Sequence, residues 1–229
     1  MDTKGYEETF ELNGEQVKTI VTYDVKEIEK HISSFLHPSN NHQSKVIGFD
    51  AEWFLFQTDG SYKVGIFATP RCATIQLCDG NLCLIIHLLY CRISEHWRAN
   101  SVHKSLLNFL SMPEFTFVGV GIKENLAKLE KHYGIGCKNA VELGHLAAAA
   151  MKKPRLSFCG IGELAFVVNG LDLQEHRPKT TGYDYTCQPL SKEVAKLVTV
   201  NVYSYYKIGS TLLHSNVVGG LDTGLVRLW

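Results

Sequence analysis

Hydrophobic positions along the chain change period several times, and each change marks an element. Val17, Thr19, Val21 and Tyr23 alternate with their neighbours, which is the period of a half-buried strand. Thr9–Leu12 precedes this strand across Asn13-Gly14, a dipeptide that accepts positive φ at both centres of a type I′ turn, so a hairpin is predicted over 9–23. Asp24 is the predicted N-cap of a helix over Val25–Leu36, where Val25, Ile28, Ile32 and Phe35 recur at helical spacing. Lys45–Phe54 reads as a buried strand with Val46, Ile47 and Phe49 ahead of two acids. Ala73–Leu77 and Leu82–His87 follow around the turn Asp79-Gly80-Asn81, completing a meander. Helices are then predicted at Leu106–Leu110, Ile122–Tyr133, Val141–Met151, Ile161–Val168 and Ser191–Leu213, with one short strand, Phe115–Gly119, among them. Ser191 caps the last helix just after Pro189. Strands first and helices later imply an α/β domain with a mixed central sheet. The tail over 214–229, rich in glycine and ending at Trp229, reads either as loose or as docked on a neighbouring subunit.

The chain has 229 residues. At about 100–200 residues per domain, a single domain over 1–229 is expected, large enough to bury a core without disulfides or metals. With 45% hydrophobic and 20% charged residues the composition is that of a globular protein and excludes disorder over most of the length. Lys plus Arg and Asp plus Glu both number 23, which excludes a polybasic coat and binding driven mainly by counterion release, though not a local basic groove. The seven cysteines contain no C-x-x-C pair, against a zinc knuckle or thioredoxin-like motif; they read as reduced, mostly buried thiols of a cytoplasmic or nuclear protein. Met1–Glu8 has no apolar region of a secretory signal behind it, and the most apolar run, Leu82–Tyr90, is short of the roughly 20 residues a membrane span needs. No membrane partner is expected.

The most informative segment is Phe49-Asp50-Ala51-Glu52-Trp53. Acids two apart on a strand share one face, and two hard oxygen ligands side by side at the end of a buried strand suit Mg²⁺ or Mn²⁺. An isolated D-x-E is more often two solvated acids, so the order of the other segments decides. Phe117-Val-Gly-Val-Gly-Ile122 opens a helix but lacks the third glycine and the downstream acid of a dinucleotide fingerprint.

F-D-x-E-W after an apolar strand, Ala73-Thr-Ile-Gln-Leu77, Phe117–Ile122, Lys138-Asn-Ala-Val-Glu-Leu143 and Pro189-Leu190-Ser191, in that order, resemble the Werner-type 3′–5′ exonuclease domain of the DEDD superfamily, which includes RNase D. The resemblance runs from Thr9 to Leu213, and the hairpin running into Thr19–Thr22 is similar to the plant branch of these proteins. It implies an RNase H-like fold with a mixed sheet flanked by helices. It also implies a site where four acids hold two metal ions and a tyrosine on the last helix orients the attacking water. Asp50 and Glu52 match the first acidic pair. Asn125 stands where the second motif has aspartate, Asn201 where the third has aspartate, and Leu197 where the tyrosine is expected. Two divalent ions about 4 Å apart repel by about 4 kcal/mol even in water. Four carboxylates offset that charge and two do not, so at most one weakly bound Mg²⁺ or Mn²⁺ is expected, at Asp50 and Glu52.

Neighbouring residues offer no obvious replacement. Glu124 is adjacent to Asn125 on the helix and faces elsewhere. Tyr205 shares the face of Asn201 one turn on, with core packing the better reading, and His145 reads as structural or surface. Lys152, Lys153 and Arg155, with Arg177 and Lys179 further on, are candidates for phosphate contact, and Trp53 and Tyr183 for stacking on a terminal base. Three functions compete: a nucleic-acid-binding exonuclease homologue with weak or lost hydrolysis, an active metal-dependent exonuclease on DNA or RNA 3′ ends, and an assembly protein acting through a homo-oligomer interface. The first is preferred on the count of acids.

Overall fold

The structure is a computed structural model that describes residues 4–36, 45–56, 69–91, 101–179 and 184–218. The predicted hairpin is β1 (Gly5–Leu12) and β2 (Glu15–Thr22), antiparallel, and its turn has positive φ at both Asn13 and Gly14. Asp24 caps helix α1 (Val25–Leu36) as expected: its Oδ1 accepts the Lys26 N–H at 2.9 Å and the Glu27 N–H at 3.4 Å. The meander is β3 (Lys45–Phe56), β4 (Thr69–Cys78) and β5 (Leu82–Ile86). After α2 (Ser101–Leu110) come β6 (Phe115–Gly119), α3 (Ile122–Tyr133) and β7 (Ala140–Glu142). Helices α4 (Leu143–Ala150), α5 (Ile161–Asn169) and α6 (Lys192–Val218) complete the order. The sheet is mixed and seven-stranded, in the order β1-β2-β5-β4-β3-β6-β7.

Two expected boundaries are corrected. Val141 opens no helix: Ala140–Glu142 pairs in parallel with β6, and α4 starts at Leu143. Three residues are too few to show a period, so the neighbouring strand decides their conformation. The last helix does not stop at Leu213 but runs to Val218, inside the expected tail; Trp229 lies outside the described residues. Among the described residues no helix is long and apolar enough to cross a membrane. All seven cysteines are free; Cys72, Cys78, Cys83 and Cys91 are buried and Cys187 is exposed.

Both faces of the sheet are covered. Ile47, Phe49 and Ala51 of β3 join a core with residues of α1, α2 and α3. Within it Phe109 of α2 meets Phe115 and Phe117 of β6 edge to face at ring distances of 4.9 and 5.3 Å. Val46 belongs to the opposite core, with residues of α4, α5 and α6. Because side chains alternate along a strand, Gly48, Asp50 and Glu52 share the face of Val46, under α6. At Gly48 the helix backbone comes so close that a Cβ would overlap the Val202 carbonyl oxygen and crowd the Tyr206 N–H. The missing side chain lets α6 lie directly on β3, and this is what brings the helix's side chains to the acids.

A Gly48→Ala variant is therefore expected to lose about 3 kcal/mol of stability, since the new methyl meets backbone on a packed helix. Urea unfolding checks this; a midpoint equal to that of the unmodified protein would mean that α6 does not press on this strand.

Candidate active site

Asp50 and Glu52 leave β3 on one face, and the β3–β4 register slips between Glu52 and Trp53. An irregularity of this kind bends the strand and re-aims the next side chain, here the indole of Trp53. The first turn of α3 stands at the end of β6. Gly121 enters it with φ 69°, and the Glu142 carboxylate from β7 accepts the Gly121 N–H at 2.9 Å and the Ile122 N–H at 3.2 Å. These are orphan donors of the helix start, where a negative charge is favourable. Asn125, in that first turn, points at the acids.

Asp50 is held by neutral donors. Oδ1 accepts the Ala51 N–H at 2.8 Å and the Asn125 side-chain N–H at 2.9 Å, and Oδ2 accepts the Tyr205 hydroxyl at 3.2 Å. The Asn125 Oδ1 accepts the Trp53 indole N–H at 3.1 Å. An indole can only donate, so it sets the orientation of the amide: the carbonyl turns to Trp53 and the NH₂ to Asp50. Trp53 is itself half-buried and packed near Tyr133, whose hydroxyl accepts the Cys72 N–H at 2.9 Å. Glu52 accepts a hydrogen bond from the Tyr185 side chain. The segment carrying Tyr185 is tied to the end of β5, with His87 Nε2 3.0 Å from the Tyr185 carbonyl oxygen and the Tyr90 hydroxyl donating to the Thr186 carbonyl at 2.6 Å.

Burial dominates the electrostatics. Burial, then the neighbouring Glu52, pushes the Asp50 carboxyl up to about 7. Burial also raises Glu52, and burial followed by the Asp50 charge raises the Tyr205 hydroxyl well above its ordinary range, so it stays a donor. Glu142 contributes to that last shift and so belongs to the same acidic surroundings.

The structure thus brings Asp50, Glu52, Asn125 and Trp53 together. Asn201 sits on α6, one turn before Tyr205, and its Oδ1 accepts from Arg177 Nη2 at 2.8 Å. Leu197, a turn earlier again, is buried. Tyr205, expected as core, is indeed buried, but its hydroxyl also reaches Asp50; this reach depends on the close approach at Gly48, which periodicity cannot show. Glu124 is taken by Lys128 at 2.7 Å and His145 is exposed, as expected. Lys152 and Lys153 are exposed in the turn after α4, and Arg155 is paired with Glu163 at 2.6 Å. Tyr183 lies outside the described residues. Sequence reasoning missed Tyr185, Glu142 and the Arg177–Asn201 contact; only Glu142, inside Lys138–Leu143, lay in a motif already quoted.

A pair of divalent ions does not fit this donor set. The side-chain carbonyls of Asn125 and Asn201 each already accept a hydrogen bond, from Trp53 and from Arg177, and carry no negative charge to offset a second cation. Among the described residues no group of three or more His, Cys, Asp or Glu is arranged to hold a metal ion.

The geometry consists of a mixed α/β sheet with a paired acid at a strand end under a long helix, and comparison with known proteins gives the class. The model of the 3′–5′ exonuclease family matches residues 25–197, and the chain belongs to that family. It is 29% identical over 158 residues to the RISC-interacting clearing 3′–5′ exoribonuclease 1 of Arabidopsis thaliana, covering 69% of this chain and 72% of that protein. The fold is similar to the Aedes aegypti Nibbler EXO domain, with a TM-score of 0.66 at 13% identity over 96% of this chain and 98% of that one. It is also similar to Escherichia coli RNase D, with a TM-score of 0.63 at 16% identity over 90% of this chain. The match spans 47% of the RNase D chain, about half its length.

The raised Asp50 carboxyl has a consequence for stability. Its folded-state value of about 7 lies above the ordinary 3.8, so the fold holds a proton that the unfolded chain releases; stability from this group is lost as pH rises from about 4 to about 7. Asp50→Asn keeps an acceptor toward Ala51 and Asn125 and removes the titration. Its unfolding free energy relative to the unmodified protein is expected to rise between pH 4.5 and pH 8, by up to about 3 kcal/mol for a fully realised shift. Parallel pH profiles would refute the assignment.

Proposed function

We propose that the protein binds the 3′ end of RNA in an exonuclease-type cleft and hydrolyses it feebly or not at all. The observation that carries this reading is the hydrogen-bond chain Trp53–Asn125–Asp50–Tyr205, in which a neutral amide and a phenol, rather than further carboxylates, stand against Asp50, so the negative charge that a pair of metal ions would need is short. In this reading Asn125 and Asn201 replace two of the family's acids and Leu197 its tyrosine. At most one Mg²⁺ or Mn²⁺ would then sit weakly at Asp50 and Glu52. RNA is preferred to DNA because the Arabidopsis relative is named an exoribonuclease and a Trypanosoma brucei RNase D of the same fold, with a TM-score of 0.61, was solved as a complex with RNA U12. Trp53, Lys152 and Lys153 remain candidates for contact with the strand, as does Tyr183. Family membership favours the competing reading of an active enzyme, and turnover decides between the two.

Purified protein should leave a 5′-labelled RNA unshortened in Mg²⁺ or Mn²⁺; robust shortening that Asp50→Ala abolishes would overturn the proposal. Asn125→Asp should tighten Mn²⁺ binding by about tenfold or more in calorimetry, because it adds a carboxylate beside Asp50 while leaving an acceptor for the Trp53 indole. Unchanged affinity would count against the placement of Asn125 at the metal position.

A further inference from the structure

Arg177 reaches the helix that carries Tyr205, and its surroundings are unusual. Its backbone N–H donates to the Leu173 carbonyl at 3.0 Å, at the end of a short 3₁₀ turn over Leu173–Glu175. Asp172 caps that turn, accepting the Gln174 N–H at 2.9 Å, and Leu171 and Leu173 anchor it in the core. From this platform the guanidinium reaches across to α6 and donates to Asn201, one helical turn from the Tyr205–Asp50 bond. Among the described residues it has no ion pair, unlike Arg155, Lys128 or Lys192. Its Nε is buried without any hydrogen-bond partner. A buried unmet donor on a charged group is costly, and a native fold keeps one only for a reason. Arg177 and Asn201 are both half-buried, so the guanidinium is not fully enclosed.

We propose that the Arg177 guanidinium, braced by Asn201, is the metal-independent phosphate clamp of the cleft, taking a non-bridging oxygen of the backbone near the 3′ end of a single strand. A planar guanidinium presents parallel N–H donors that match phosphate oxygens, and its fixed charge needs no divalent ion. The inference rests on the RNA-binding reading above and supplies that reading's missing cation. It also assigns Asn201 a task that aspartate would spoil: a carboxylate there would pair with Arg177 and cancel its charge.

The test is fluorescence anisotropy of a short 5′-labelled oligouridylate in EDTA over a salt series, comparing the unmodified protein with Arg177→Gln, Arg177→Lys and Asn201→Asp. Arg177→Gln is expected to weaken binding about tenfold and to lower the salt slope by about 0.7, the value of one phosphate contact on a single strand. Arg177→Lys should keep the slope and lose part of the affinity. Asn201→Asp, nearly isosteric, should weaken binding as Arg177→Gln does, with no recovery on adding Mn²⁺. If Arg177→Gln fails to fold, Asn201→Asp decides. Unmodified protein that binds while Arg177→Gln and Asn201→Asp bind equally well would overturn the clamp alone. Absence of any binding by the unmodified protein would overturn the clamp and the RNA-binding reading together. Strand shortening in Mn²⁺ with the EDTA results intact would overturn only the loss of hydrolysis.

Discussion

Helix α6 rests on the sheet where Gly48 presents no side chain, and the arrangement of the cleft depends on that contact. The helix backbone approaches β3 until Val202 and Tyr206 leave no room for a Cβ. Asp50 follows two residues later on the same strand face, and Tyr205 projects from the same stretch of helix, so their meeting is a consequence of the close packing. The same helix carries Asn201 to Arg177 one turn away. A larger residue at position 48 would lift α6 and separate all of these groups.

Around Asp50 the protein solves the burial of a carboxyl with dipoles rather than with cations. A buried carboxylate must be hydrogen-bonded or neutralised by a proton. Here a backbone N–H, an amide and a phenol supply the hydrogen bonds, and the raised carboxyl accommodates the rest. The indole of Trp53 makes this arrangement one-directional, since it allows the Asn125 amide a single orientation. A site able to hold two divalent ions needs negative charge and free oxygen lone pairs. Here two of the groups facing Asp50 are a neutral amide and a phenol.

Such a cleft can keep the shape of an exonuclease site and still act as a binder. The family relationship agrees with the α/β fold. In this chain Asp50 is bonded to an amide and a phenol, and one guanidinium has an unmet donor. The acids are held by neutral partners, and the Arg177 guanidinium, one turn along α6, is held by a neutral amide.

Much of the architecture was legible from the chain alone, because strand and helix periods, the Asn13-Gly14 turn and the Asp24 and Ser191 caps are local signals. So was the acid pair Asp50 and Glu52, since alternation on one strand needs no tertiary knowledge. The three-residue strand Ala140–Glu142 was not, because sheet pairing rather than a period makes it a strand. Nor were the partners of the acids. Asn125 stands 75 residues from Asp50 and Tyr205 stands 155 away, so only packing could say which amide atom faces the carboxylate and whether the phenol reaches it. The amino acids determined by themselves that Asp50 and Glu52 share one strand face. The tertiary structure decided what stands against Asp50, because hydrogen-bond direction and close approach are properties of elements brought together from distant parts of the chain.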